Sequence, residues 1–313
     1  MYAEIKPYDE GFLDVGDGYS LAYGRFGNPG GPKIIYLHGG PGAGCAWNEY
    51  RYFDPSYYDV VLFDQRGSGK SVPLGERKAN STDCLVGDIE KLRTYFGYDR
   101  WIVAGGSWGS CLAMEYAAKH ADRIDRMLLR GIFFGDKEGA EYIPEGDAYT
   151  RDNVWFREYE ALVPDDLKEK SLSYAYYEML DRGENLAMEA AIRFNRWNAS
   201  LATSIPRVDL IEEVEENLAE TLANSRMYFH FAVNEFFHQK RERLLDVMKN
   251  FKGAVDIVHG RQDYICSVEN AYQLDAVCPN SHLHVIENCG HSMAEPLLKE
   301  AFVRISDGWK LAV

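Results

Sequence analysis

The six cysteines of this chain, Cys45, Cys84, Cys111, Cys266, Cys278 and Cys289, include no C-x-x-C pair. That absence excludes the common zinc and dithiol redox motifs. The thiols are expected to be reduced rather than bridged, as in a cytoplasmic protein. No apolar run approaches the roughly 20 residues that a membrane-spanning helix needs. The first residues, MYAEIKPYDE, lack the basic and apolar regions of a signal peptide, so the expected location is cytoplasmic. Basic residues are scarce. Lys and Arg number 34 against 49 Asp and Glu, a net charge of −15. An acidic surface argues against nucleic acid or an anionic membrane as a partner.

What is present is enough for one large α/β domain with an insertion: 313 residues, 46% of them hydrophobic. Tyrosine is abundant, with 21 residues. Such rings serve in cores and in pocket walls. Residues 101–118, WIVAGGSWGSCLAMEYAA, combine an apolar strand with a helix-compatible run. Between them lies Gly105-Gly106-Ser107-Trp108-Gly109, the G-x-S-x-G turn that lifts a nucleophilic serine onto the tip of a strand–turn–helix. Small residues two before and two after the serine allow the backbones to approach. The helix that follows turns its free N–H groups and positive dipole end toward whatever Ser107 attacks.

Upstream, 11–27 read as two strands about the turn Gly16-Asp17-Gly18. Residues 33–37, KIIYL, form a strand running into His38-Gly39-Gly40-Pro41-Gly42. A glycine loop there lets backbone N–H groups reach a ligand. Gly40 N–H is expected to donate to an oxyanion beside Trp108 N–H, with Gly39 against the substrate. Residues 59–63 form another strand, followed by Asp64 to Ser71, DQRGSGKS. A phosphate loop would need glycine at 64, which is aspartate, so nucleotide binding is rejected. Asp64 and Arg66 are expected to hold loops together. Residues 82–96 make an amphipathic helix through Leu85, Val86, Ile89, Leu92 and Phe96, and 127–129 the next strand.

From 135 to 250 the strand signal vanishes, and prolines 144, 164 and 206 punctuate a helical segment. Its acidic run 211–220 is expected to be a solvated helix face. Strand returns at 254–258 and again at 282–286, with helices at 267–277 and 296–309. Asp263 and His291 thereby stand on loops beyond strands. The expected fold is a mostly parallel sheet with helices on both faces, built from 1–134 and 251–313, with 135–250 as an inserted helical cap. Functional loops of such sheets gather at the carboxyl ends of the strands.

The order Ser107, Asp263, His291 suits a nucleophile, an orienting acid and a base. Asp256 is a rival acid, though it lies inside a strand. His259 and His38 are rival bases, His38 being the better placed to order the glycine loop. HGGPG at 38–42, DQRGSGKS at 64–71, GGSWGS at 105–110, RGIF at 130–133, GRQD at 260–263 and GHS at 290–292 together resemble the proline iminopeptidase family of α/β-hydrolases. The resemblance spans nearly the whole chain. It implies an α/β-hydrolase core with a helical cap, no metal or other cofactor, and release of N-terminal proline from a small amide or short peptide. It makes Ser107 the nucleophile, Asp263 the acid and His291 the base. The family holds the substrate's ammonium group with two cap glutamates. Asn198 and Tyr228 stand in their places here, and Glu235 is a nearby acid able to substitute. The same mechanism acting on an uncharged amide, ester or lactone is therefore the alternative reading.

Overall fold

The computed structural model describes residues 1–146, 150–237 and 240–311. Within them, eight strands form one sheet: β1 (Asp9–Gly16), β2 (Tyr19–Gly27), β3 (Lys33–Leu37), β4 (Asp59–Phe63), β5 (Trp101–Gly106), β6 (Ile124–Arg130), β7 (Ala254–Gly260) and β8 (Ser281–Ile286). Their order is β1-β2-β4-β3-β5-β6-β7-β8. β1 and β2 are antiparallel to their neighbours, and every pair from β4 to β8 is parallel. The apolar runs explain why the middle of the sheet is covered on both faces. Alternate side chains divide between two cores. Ile35, Leu37, Val61, Phe63 and Val103 enter one. Ile34, Tyr36, Val60, Leu62 and Ile102 enter the other.

Helices α1 (Thr82–Tyr95) and α2 (Trp108–His120) contribute to the first core. The Ser81 side chain caps α1 by accepting from Cys84 N–H. Helices α3 (Lys137–Glu145), α4 (Val154–Ala161), α5 (Leu172–Met179), α6 (Glu184–Ser200), α7 (Val208–Glu212) and α8 (Leu218–Val233) follow β6. Their interior is aromatic. Tyr159 stacks on Tyr176 at 4.2 Å, and Phe156 meets Trp197 edge-on at 5.1 Å. The tyrosine-rich composition is used here as core. α9 (Arg241–Asn250) departs from the expected cap boundary. It packs on α2 and on α10 (Val268–Val277), with Arg243 paired to Glu115 at 2.8 Å. α11 (Pro296–Gly308) closes the second core.

β6 is longer than the apolar triplet 127–129 suggested. Asp125 and Arg126 hid its start, because their side chains leave the core, Arg126 lying over the Trp309 ring at 5.0 Å. The loops after β3, β4, β5, β6, β7 and β8 share one edge of the sheet, since those strands run parallel.

Glycine substitutions separate close packing from mere helix propensity. A Cβ on Gly109 would sit 2.0 Å from the Leu37 carbonyl oxygen, whereas one on Gly87 within α1 meets nothing within 4 Å. Gly109→Ala is expected to cost about 1–3 kcal/mol or more, and Gly87→Ala to stabilise by about 0.5–1 kcal/mol. Thermal unfolding of the two variants measures both.

Candidate active site

Ser107 follows β5 and precedes α2, with φ 57° and ψ −126°. A non-glycine residue in this region is strained, and the surroundings hold it there. Ser107 N–H donates to Arg130 O at 3.0 Å, and the Ser110 hydroxyl donates to Ser107 O at 2.7 Å. The two residues before Ser107 leave no room for a side chain. A Cβ at Gly105 would lie 2.7 Å from Gly109 O, and one at Gly106 would lie 2.5 Å from Arg130 Nε. The Trp108 indole is fully buried and donates to Gln65 Oε1 at 2.9 Å.

Asp263 lies three residues beyond β7 and is buried. Its Oδ1 accepts from Ile265 N–H at 2.9 Å and Cys266 N–H at 2.8 Å, while Oδ2 faces His291 Nδ1 at 2.7 Å. Burial opposes ionisation. The charge of His291 and hydrogen bonds from His259 and His291 outweigh it, and hold this carboxyl far below the usual range. An ionised carboxylate only accepts, so His291 Nδ1 carries the proton of this contact. Gly131 backs the imidazole. A Cβ there would stand 2.8 Å from His291 Cε1.

The rival residues have other partners. His259 Nδ1 accepts from Ile132 N–H at 3.1 Å, and its Nε2 donates to Cys266 O at 2.8 Å, 3.3 Å from Asp263 Oδ2. It sits behind the acid with both nitrogens engaged. His38 Nδ1 donates to Gly39 O at 2.9 Å and its Nε2 accepts from Gln65 N–H at 3.0 Å. Burial pushes its imidazole below the usual value, against the charge of Asp64, so it orders the glycine loop as a neutral group. Asp256 accepts from Trp309 Nε1 at 3.0 Å. Asp64 and Arg66 tie loops as expected. Asp64 accepts from Cys45 N–H and Lys70 N–H at 2.6 and 2.8 Å, and Arg66 grips buried Asp88 through Nε and Nη2 at 2.6 and 2.8 Å.

One cavity of about 660 Å³ joins the loops to the helices above them. Ser107, His291, Gly39, Gly40, Asn198 and Tyr228 all line it. Glu235 does not. It lines a separate cavity of about 160 Å³ with Lys137 and Tyr174. The reason is a left-handed turn, with φ of 47°, 52° and 53° at Glu235, Phe236 and Phe237. That turn buries Phe236 against Trp108 and Phe133 and directs Glu235 away. The acidic run 211–220 is not one solvated helix face: it spans the end of α7, a short helical turn and the start of α8, and Glu213 and Val214 line the main cavity.

Sequence reasoning passed over Glu49, Arg130 and Cys266, which line the cavity too. Arg130 carried a signal in the RGIF motif. Its Nη1 donates to His291 O at 3.0 Å. Cys266 lies beside Ser107, and burial pushes its thiol well up, so it remains protonated. Glu49 Oε2 accepts from Ala46 N–H at 3.1 Å and from the Cys45 thiol at 3.3 Å. Burial pushes the Glu49 carboxyl up to about 7, against the pull of Cys45, Arg130, Tyr36 and Ala46. Glu49 then binds its proton more tightly folded than unfolded. Between the ordinary carboxyl value of about 4.3 and 7, the unfolded chain ionises first, so stability falls as pH rises. Glu49→Gln is therefore expected to raise the melting temperature more at pH 8 than at pH 5. Paired thermal melts test it, and an equal change at both pH values refutes it.

The α/β hydrolase fold family matches residues 32–295. A proline iminopeptidase of Xanthomonas citri is 38% identical over 99% of both chains. One from Arabidopsis thaliana is 36% identical over 99% of this chain and 82% of its own. Among solved structures, a proline iminopeptidase-related protein of Thermus thermophilus superposes with a TM-score of 0.63, covering 97% of this chain and 96% of its own at 20% identity. An α/β hydrolase from a deep-sea metagenome library gives 0.65 at 15% identity, covering 95% of this chain and 96% of its own. The strained serine turn, the strand-end loops and these relatives agree, and the chain belongs to the proline iminopeptidase family of α/β hydrolases.

Proposed function

We propose that this enzyme hydrolyses a small amide or short peptide through an acyl-enzyme on Ser107, with an N-terminal proline as the acyl group. The observation that carries the mechanism is the 2.7 Å contact of His291 Nδ1 with ionised Asp263, His291 lining the same cavity as Ser107. His291 Nε2 takes the proton of the Ser107 hydroxyl as the oxygen attacks the scissile carbonyl carbon. Negative charge moves to the carbonyl oxygen, where the N–H groups of Gly40 and Trp108 receive it. The C–N bond then breaks, and His291 returns the proton to the departing amine. Water repeats the cycle on the acyl-serine and frees the acid. The helices α3 to α8 act as a cap that excludes bulk water and limits substrate size. Gly40 has φ +113°, and a Cβ there would lie 2.5 Å from Gly42 N, so only glycine suits this donor.

A second reading keeps the mechanism and changes the acyl group to an uncharged one. Asn198 and Tyr228 favour it, because both line the cavity and neither carries charge toward a prolinium nitrogen. Burial pushes the Tyr228 hydroxyl far above its usual value. The two readings separate on a panel of proline arylamide, its N-acetyl form and a small aryl ester. On the second reading, free proline arylamide is turned over weakly relative to the neutral substrates. Strong cleavage of that arylamide, abolished by acetylation, would show that another group already holds the amine.

Ser107→Ala is expected to keep the fold and retain less than about a thousandth of wild-type kcat. Higher residual turnover of the aryl ester would place the nucleophile elsewhere. Asn198→Glu combined with Tyr228→Glu is expected to raise kcat/KM for proline arylamide about tenfold or more, since one charge-assisted contact is worth about 1.4 kcal/mol or above. Steady-state kinetics on the same panel measures the gain.

A further inference from the structure

Glu295 stands at the N-cap position of α11, yet its side chain makes no capping bond there. The first helical residue is Pro296, which has no N–H to offer. The carboxylate instead reaches two backbone donors on different parts of the molecule. Oε1 accepts from Ser204 N–H at 2.6 Å and from Gly290 N–H at 3.1 Å. Ser204 follows the C-terminal end of α6, the cap helix that carries Asn198. Gly290 precedes His291. The same two segments meet a second time, where Ala202 O accepts from both His291 N–H at 2.9 Å and Ser292 N–H at 2.7 Å. Nothing but glycine fits between them. A Cβ on Gly290 would lie 2.6 Å from Ser204 N and 2.7 Å from Thr203 C.

Four backbone N–H groups are thus satisfied across this seam, by one carboxylate oxygen and one carbonyl oxygen. Bonds to a charged acceptor are the stronger kind. We propose that Glu295 is a positioning residue for the base: its carboxylate pins the end of α6 to the turn carrying His291, so the imidazole is aimed at Ser107 while the cap is seated. The cap wall at Asn198, Ala199 and Ala202 lines the cavity, so contact with substrate and aim of the imidazole share one segment. Misaim of a base by about an ångström is enough to cost rate without costing affinity. Glu295 does not line the cavity among the described residues, so it acts through His291 and not on substrate.

The inference rests on His291 being the base, and the test separates the two. Kinetics of Glu295→Ala, Glu295→Gln, Glu295→Asp, Gly290→Ala and His291→Ala are measured on proline arylamide and on a small aryl ester, beside amide hydrogen exchange at Ser204 and Gly290. Glu295→Ala is expected to lower kcat ten- to hundredfold on whichever of the two is turned over, with KM within twofold, and to speed exchange at both amides together. Glu295→Gln keeps an acceptor oxygen and is expected to stay within about threefold of wild type. Glu295→Asp keeps the charge but is one methylene short, so it loses rate without loss of fold. Gly290→Ala, with Glu295 intact, is expected to reproduce the selective loss of kcat by forcing the seam apart. Wild-type kcat in Glu295→Ala with faster exchange at Ser204 and Gly290 would overturn the positioning role while leaving the mechanism standing. Wild-type activity in His291→Ala would overturn the mechanism, and the positioning role with it.

Discussion

The backbone of β5 passes the start of α2, and α2 passes the end of β3, at distances that admit no side chain. A Cβ on Gly105 or Gly109 would come within 2.7 or 2.0 Å of a carbonyl oxygen. This closeness turns the chain sharply enough to hold Ser107 at φ 57° and to direct the first N–H groups of α2 at the cavity. Trp108 then fastens the turn to its surroundings. Its indole meets Gln65, which also holds both the His38 ring and the His38 carbonyl. On its other side it packs on Phe231 and Phe236 at the end of the inserted helices. One buried ring therefore links the serine turn, the glycine loop and the inserted helices.

Burial acts on two carboxyls near this centre with opposite outcomes. Asp263 is buried but collects two backbone donors and two imidazoles, and stays ionised. Glu49 accepts from one backbone N–H and a thiol, and burial raises its carboxyl to about 7. The number and quality of donors decides which effect prevails, not burial alone. Asp263 is the one given the richer set. Asn198 and Tyr228, from the inserted helices, add neutral groups to the wall of the same cavity.

Much of the fold was legible in local pattern. The parallel strands are short apolar runs, and periods of two and 3.6 placed them and their helices within a few residues. The apolar pattern understates β6 because Asp125, at a register shift, and Arg126, paired with Ala254, interrupt it within the strand. The packing partners of α9 were hidden for a different reason. The helical period of α9 is the same whether its apolar face meets a cap or the core, and its contact with α2 and α10 is tertiary.

The sequence by itself determined the serine turn, the glycine loop and the placement of Asp263 and His291 after strands, because glycine freedom and apolar periodicity act within a turn or two of chain. Only the tertiary structure decided which side chains share the cavity. Glu235 was close in sequence to Tyr228, yet three left-handed residues turned it to another surface. Glu49, from a short helical turn after β3, and Arg130, from the end of β6, reached the same cavity, and Glu295 reached both the segment after α6 and the His291 turn. Such meetings depend on how distant segments pack, and a residue's local pattern carries no record of the neighbour it will meet.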